Sequence, residues 1–314
     1  MDVHRKYLLI GFCLVALAWW EAPGIVLGAD DEFQRLPKVE SDLFTASGNR
    51  VAADAEITSG LSSSSWQWHI RPHGFIYDTY WASAAEPRLA THFIDERYDG
   101  TFLDSHIGGR FGILRYGPKD RPEGFQLDLL GGAKLRQNWG DLDVLATDFR
   151  YDLVGTYGVG PNRFKFGFYH VSAHTGDEFL LENPGFERLN FFRDTLVTGY
   201  SYYPIPQARF YAEMGWAMDH EISEPWEFQF GVDLGPQSYT GVRGAPFLAM
   251  NVHLREELDF GGNFAFQAGW AWRGEDTLDG LLRTGVYFYE GASPHFSFYA
   301  EHERQIGWGL WYDF

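Results

Sequence analysis

The chain has 314 residues, with 43 acidic against 25 basic side chains and a formal net charge of −18 at pH 7. This acidic balance argues against nucleic acid as a partner, because nucleic acid binds basic surfaces. The only cysteine, Cys13, lies in an N-terminal apolar run that we expect to be removed. The mature chain is therefore expected to have neither disulfides nor a thiol nucleophile.

Residues 1–29 predict a secretory signal peptide. Arg5 and Lys6 supply a positive start, residues 7–20 are mostly apolar, and Gly28 and Ala29 are small residues suited to cleavage. No later window holds the ~18 continuous apolar residues that a transmembrane helix needs. If the mature chain spans a membrane, it must therefore do so as a closed barrel.

Residues 30–86 differ in composition from the rest of the chain. Residues 30–60 are polar and mixed, residues 62–65 are four serines that indicate flexibility, and residues 66–81 are rich in aromatic side chains. We predict that 30–86 form an N-terminal periplasmic extension or a plug in the mouth of a barrel. An additional strand is the alternative.

From residue 87 onward, apolar and polar residues alternate over long runs. Trp226 and Phe228, for example, oppose Glu227 and Gln229. The runs hold about 10 to 14 residues, which exceeds the ~5–6 of soluble strands and suits the ~9–11 that cross a bilayer. Residues 87–314 therefore predict an all-β fold, a transmembrane antiparallel β-barrel of about 12 strands. A secreted β-sandwich or propeller is the alternative, because it also alternates. The predicted strands are 87–97, 104–116, 123–136, 142–157, 162–174, 190–203, 208–220, 225–235, 245–256, 262–273, 281–290 and 295–314.

The last nine residues form a distinctive closing strand. Trp308, Leu310, Tyr312 and Phe314 fall on one face, and the chain ends on the aromatic residue. This ending looks like the C-terminal signature of bacterial outer-membrane β-barrels. The resemblance implies a location in the bacterial outer membrane, contact with its lipids, and recognition by the outer-membrane assembly machinery. With both chain ends in the periplasm, the long connection near 175–189 would lie on the outer side.

The most concentrated polar cluster is Tyr169-His-Val-Ser-Ala-His-Thr-Gly-Asp-Glu178. Together with the run of strands and the Gly-Leu-Trp-Tyr-Asp-Phe ending, it resembles a family of uncharacterised bacterial outer-membrane proteins catalogued as domain of unknown function 1207. The resemblance covers roughly 87–314. It implies a fold and a location, and it brings no established activity.

His170 and Ser172 invite a second comparison. They look like the His-x-Ser pair of outer-membrane phospholipase A and of lipid A deacylase, which supplies the general base and the nucleophile. Residues two apart on a strand lie on one face about 6.6 Å apart, so an imidazole can take the proton of the serine. The parity of the preceding phenylalanines predicts that both side chains face lipid near the outer rim. The third member of a triad stays open, with Asn190, Arg193 and Asp194 as candidates.

A rim network or a ligand site is the alternative reading of this cluster. In it, His170, Ser172 and His174 bond to acidic neighbours and adjacent strands; the candidates are His174, Asp177, Glu178, Asn190, Arg193 and Asp194. His170 and His174 are about 13 Å apart on a strand, too far to share one metal ion. We predict no metal site and no cofactor, with calcium at the carboxylates as the only exception.

Ionisable side chains of both signs are predicted on the inner face: Asp128, Lys134, Arg136, Asp148, Arg150, Asp152, Glu213, Asp233, Arg255 and Arg283. They either pair and fill the lumen or line a narrow pore. We predict an integral outer-membrane β-barrel protein, structural or narrowly solute-conducting. The alternative is an outer-membrane acyl hydrolase, like a phospholipase or a lipid A deacylase, that uses the His-x-Ser pair. The sequence leaves open whether the protein is an enzyme.

Overall fold

The structure is a computed structural model, and it describes residues 65–97, 99–275 and 280–314. The predicted signal peptide and residues 30–64 of the predicted extension lie outside the described residues. The strands are β1 Gln67–Ile70, β2 Leu89–Glu96, β3 Gly100–Gly117, β4 Gly124–Asn138, β5 Val144–Val159, β6 Asn162–Thr175, β7 Phe192–Ile205, β8 Ala208–His220, β9 Trp226–Leu234, β10 Ala245–Arg255, β11 Gly261–Arg273, β12 Leu281–Ala292 and β13 His302–Asp313. The described part also holds one short helix, α1 Asp177–Glu182, and three 3₁₀ turns, η1 Gly241–Arg243, η2 Glu256–Leu258 and η3 Phe296–Phe298.

Strands β2 to β13 form one closed antiparallel barrel. Each strand pairs with the next in sequence, and β13 pairs back onto β2 from Gln305 opposite Glu96 to Tyr312 opposite Leu89. Closure leaves no free sheet edge, which is the solution that a membrane requires. The predicted barrel of twelve strands is confirmed, and the sandwich and propeller alternatives are excluded. The short β1 pairs with the end of β3, where β2 does not reach.

The predicted start of the last strand was wrong. The last strand begins at His302 rather than at 295, because residues 293–301 turn into the barrel instead of continuing its wall. Their alternation of serine, histidine and aromatic residues has the period of a strand, which misled the prediction. The strand predicted from 262 begins at Gly261, and the turn before it has Asp259 and Phe260 at φ 53° and 54°.

The wall of the barrel is apolar outside and polar inside. Phe166 and Trp308 are 64% and 53% exposed on the outer face, whereas Asp128 and Arg283 are fully buried. All ten ionisable residues predicted on the inner face lie there with their side chains largely buried. None of the helices in the described part of the chain is long and apolar enough to cross a membrane.

Residues 71–88, here called the inner segment, pass through the lumen between β1 and β2. Tyr80 of this segment stacks on Tyr211 of β8 with ring centroids 3.9 Å apart, and its hydroxyl donates to Glu213 at 2.9 Å. Arginines of the barrel wall donate to main-chain carbonyls of the inner segment: Arg115 to Gly74 (2.7 Å), Arg209 to Asp78 (2.8 Å) and Arg283 to Trp81 (3.2 Å). Because these bonds and the Tyr80 contacts come from strands on several sides of the barrel, the inner segment fills the lumen.

The connection between β12 and β13 fills the lumen from the opposite end. Lys134 donates to the carbonyl of Pro294, and Nε2 of His295 lies 3.3 Å from the Asp104 carboxylate. Burial lowers the pKa of His295 below its usual value, against the opposing effect of Asp104. Three cavities among these side chains have volumes of about 20, 10 and 10 Å³. Since one water needs roughly 10–15 Å³, each of these cavities has room for about one water.

The arginine bonds to the inner segment give a stability prediction. Arg209 is buried, pairs with Asp233, and donates to Asp78 and to Thr79. Arg209→Met leaves the Asp233 carboxylate buried without its partner, so we expect the free energy of unfolding in urea to fall by about 3–5 kcal/mol. Unfolding is followed by the heat-modifiable mobility of the barrel on gels.

Two comparisons make this prediction specific. Arg121→Met removes an arginine whose side chain is 51% exposed in the β3–β4 turn, and it should leave the unfolding midpoint unchanged. Arg209→Met combined with Asp233→Leu should lose less than Arg209→Met alone, because no unpaired charge remains. If the unfolding midpoint of Arg209→Met equals that of the wild type, the bonds of Arg209 to Asp233 and to the inner segment do not stabilise the barrel.

Candidate functional site

The candidate site lies on the outward face of β6, near its end. Along this stretch the side chains of His170, Ser172 and His174 point outward, while those of Tyr169 and Val171 are buried in the lumen. No bulge interrupts the pairing of β6 with β5 or β7, so the strict period of two persists to the end of the strand. The His-x-Ser pair therefore shares one face with the outward-facing phenylalanines of the same strand.

His170 is joined to Asp194 on the neighbouring strand β7. The two residues are direct cross-strand partners, and Nδ1 of His170 lies 2.6 Å from Oδ1 of Asp194. An ionised carboxylate can only accept, so Nδ1 carries the proton and donates it to this bond. In the neutral imidazole, the other ring nitrogen, Nε2, is then an acceptor. The side chains of His170 and Asp194 are 25% and 30% exposed, which leaves the pair accessible from outside the barrel.

The imidazole is also held from the side of β5. Tyr151 is the cross-strand partner of His170 there, and its ring stacks on the imidazole with centroids 5.0 Å apart and an interplanar angle of 23°. Tyr151, His170 and Asp194 therefore form one row across three strands. The stacking and the charged hydrogen bond together restrict the rotation of the ring.

Ser172 lies next to this row. It follows His170 by two residues on the same face, a Cα separation of about 6.6 Å. Its cross-strand neighbours are Phe149 on β5 and Phe192 on β7. At this spacing the hydroxyl and the imidazole lie side by side on one face, and a catalytic hydrogen bond between such groups commonly tightens only when substrate binds.

A row of aromatic side chains marks the depth of the site in the barrel wall. At the end of the barrel that holds Phe314, here called the proximal end, Phe125, Tyr157, Phe164 and Tyr200 form a row with neighbouring ring centroids 4.5, 6.4 and 5.0 Å apart. Ser172 lies eight residues beyond Phe164, which at about 3.3 Å per residue and a tilt of ~40° is about 20 Å of barrel height. Outward apolar bands of such barrels are about 25 Å tall. Ser172 is therefore near the opposite, distal edge of the apolar band.

The other predicted site residues are dispersed. His174 contacts Arg188, with 3.5 Å between Nδ1 and a guanidinium nitrogen, and its ring meets Phe149 edge-on at 5.6 Å. Asp177 and Glu178 are exposed in the first turn of α1. The remaining two point elsewhere: Asn190 donates to Glu221, and Arg193 is buried in the lumen with Nε 3.1 Å from Thr195 Oγ1.

Sequence reasoning did not single out Tyr151 or Arg188. Tyr151 has no motif and becomes relevant only through its register with His170. Arg188 did carry a signal, since it is the single basic residue between 176 and 191. Among the described residues, no group of three or more His, Cys, Asp or Glu side chains is arranged to hold a metal ion. Calcium at residues 177 and 178 stays a prediction.

The larger clefts lie away from Ser172. One of about 410 Å³ opens at the proximal end, between the inner segment and the turns that carry Pro161 and Pro204. Another of about 510 Å³ is an outward groove beside Phe125 and Phe166, near the proximal aromatic row. The His170–Asp194 pair is therefore a surface site rather than the floor of a cavity.

Comparison with known proteins decides the family. The model of the family described as "Protein of unknown function (DUF1207)" matches residues 124–314. The chain belongs to this family. No curated protein matches the chain.

Among solved structures, the barrel is similar to outer-membrane phospholipase A from Escherichia coli, at 10% identity and a TM-score of 0.49, over 72% of this chain and 92% of that one. It is also similar to a mutant porin from Rh. blastica, at 7% identity and a TM-score of 0.31, over 73% of this chain and 99% of that one. These likenesses concern the fold of outer-membrane barrels alone.

Proposed function

We propose that this protein is an outer-membrane acyl hydrolase that cleaves ester bonds of membrane lipids with Ser172, His170 and Asp194. The observation that carries the proposal is the 2.6 Å contact between His170 and Asp194, on the same outward face as Ser172. A lipid-facing carboxylate and imidazole are unfavourable beside hydrocarbon unless they pair. Their place at the edge of the apolar band suits a reaction at the membrane interface.

The chemistry follows the order of a serine hydrolase. Nε2 of His170 takes the hydroxyl proton of Ser172 while Oγ attacks the ester carbonyl carbon. The tetrahedral intermediate collapses, the ester C–O bond breaks, and the imidazolium returns its proton to the departing alcohol. Water, deprotonated by the same nitrogen, then releases the fatty acid from Ser172. Asp194 keeps the proton on Nδ1 and stabilises the imidazolium.

The outer membrane is the location that this proposal needs. The apolar outer wall, the aromatic row and the predicted signal peptide support it. With the proximal end in the periplasm, the distal end that holds Ser172 faces the cell exterior. The experiment that tests the function is fatty-acid release from phospholipid and from lipid A by the refolded wild type and by Ser172→Ala.

A solute-conducting barrel was the first function that the sequence predicted, and the lumen argues against it. The inner segment and residues 293–301 occupy the interior, and buried ion pairs join neighbouring wall strands around them. These include Arg136 with Asp104 at 2.9 Å and Arg283 with Asp313 at 2.7 Å. Charged residues here bond to one another and to the inner segment instead of lining open water.

The filled lumen predicts a closed barrel in electrical recordings. Wild-type protein refolded into a planar bilayer should show no steady ohmic conductance above that of the protein-free bilayer. A porin inserted in the same way serves as the positive control for insertion. Stable channels in the wild-type recordings would contradict a filled lumen and would favour the solute-conducting function over the hydrolase.

A further inference from the structure

The hydrolase site has a polar extension on its distal side, formed by His174 and Arg188. We propose that these two residues bind the phosphate of a glycerophospholipid whose ester carbonyl lies at Ser172. The inference rests on the proposed function and narrows its substrate class to phosphate-bearing lipids. No sequence motif assigns a role to Arg188.

The geometry places this pair in the right direction. His170, Ser172 and His174 succeed one another on one outward face, and each step is about 6.6 Å toward the distal rim. In a glycerophospholipid at a membrane interface, the fatty-acyl esters lie nearer the hydrocarbon and the phosphate lies farther out, beyond the glycerol. A lipid with its ester at Ser172 therefore carries its phosphate past that residue, toward His174.

The chemistry of the pair suits a phosphate. Guanidinium donors match phosphate oxygens in bidentate geometry, and a guanidinium and a lipid phosphate are both charged at neutral pH. Arg188 is exposed, and its guanidinium already lies 3.5 Å from Nδ1 of His174, so the two groups converge on one place. The edge contact with Phe149 at 5.6 Å holds the His174 ring beside Ser172, since Phe149 is also the cross-strand partner of Ser172.

The surrounding charge narrows the headgroup further. Between 176 and 191 the chain carries one basic residue, Arg188, and four acidic residues, Asp177, Glu178, Glu182 and Glu187. The four carboxylates outweigh the single arginine, so this connection does not attract a purely anionic headgroup strongly. A zwitterionic headgroup suits this charge pattern better, because its ammonium group lies beyond the phosphate, on the acidic side.

A binding experiment tests the phosphate site without hydrolysis. The probe is a short-chain dialkyl ether phosphocholine, which has a phosphate and no ester, titrated calorimetrically into the full-length protein in a nonionic detergent. Arg188→Gln should raise the Kd about tenfold, the loss expected for a charge-assisted hydrogen bond. Arg304→Gln is the matched control: it removes another exposed arginine, at the start of β13, which pairs with Glu290 at 3.7 Å, and its Kd should equal that of the wild type.

Two measurements, the Kd of the ether lipid and the ratio of two hydrolysis rates, separate this inference from the proposed function. Equal Kd values for Arg188→Gln and the wild type would overturn the phosphate site, whatever the hydrolytic activity. In hydrolysis assays, the ratio of the phospholipid rate to the p-nitrophenyl butyrate rate should fall about tenfold in Arg188→Gln, and it should stay unchanged in Arg304→Gln. If the wild type hydrolyses neither substrate but binds the ether lipid through Arg188, the proposed hydrolase function is wrong and the phosphate site is supported.

Discussion

Ser172→Ala is expected to lower fatty-acid release from phospholipid by about 10³-fold or more, because serine hydrolases lose most of their rate when any triad member is removed. The substitution removes the proposed nucleophile and leaves the bond between His170 and Asp194 in place. Released fatty acid is measured from mixed micelles of detergent and phosphatidylcholine, and from lipid A in parallel.

The matched control for this prediction is Thr198→Ala. Thr198 is an outward-facing hydroxyl residue on β7, away from His170, so its loss should leave the rate unchanged. Both variants should keep the heat-modifiable mobility of the folded barrel. Equal rates for Ser172→Ala and the wild type would eliminate Ser172 as the nucleophile.

Asp194→Asn is expected to lower the same rate by about 10⁴-fold, the loss seen when a triad carboxylate becomes an amide. The amide can present its NH₂ group to Nδ1, which favours the wrong tautomer of His170 and places the proton on the nitrogen that must act as base. An amide also cannot stabilise the imidazolium by its charge. The loss should appear in kcat, because Asp194 acts on the imidazole of His170 rather than on the ester itself.

Asp219→Asn is the control that separates catalysis from surface charge. Asp219 is the exposed cross-strand neighbour of Asp194 on β8, and its neutralisation removes the same charge one strand away. We expect less than a threefold change in its rate, the size of a weak, exposed electrostatic effect. Similar losses in both variants would mean that Asp194 acts only as one of several surface charges.

The wall of the barrel was predictable from sequence, because one face of every strand is apolar and the other is polar. That period of two also gave the outward direction of His170 and Ser172. The partner of His170 was narrowed to Asn190, Arg193 and Asp194 but not chosen, because parity on β7 depends on where that strand begins. The strand begins at Phe192, so Asp194 points outward and Arg193 points into the lumen.

The contents of the lumen were much harder to predict. The arginines bond to main-chain carbonyls of the inner segment, and any residue can offer a carbonyl, so no side-chain pattern marks residues 71–88 as their partner. The connection at 293–301 was hidden for a different reason. His295 and its neighbours alternate as a strand does, and only their contacts with Asp104 and Lys134 reveal that the chain has turned inward.

The central claim is that Ser172 is a nucleophile activated by His170, and covalent labelling tests it most directly. Folded protein in detergent micelles is treated with a long-chain alkyl fluorophosphonate, which reacts with activated serines, and the adduct is located by peptide mass spectrometry. We predict a single adduct on Ser172 in the wild type, greatly slowed in His170→Ala and in Asp194→Asn, and unaffected in Asp219→Asn. An absence of label on Ser172, or a labelling rate independent of His170, would contradict the account.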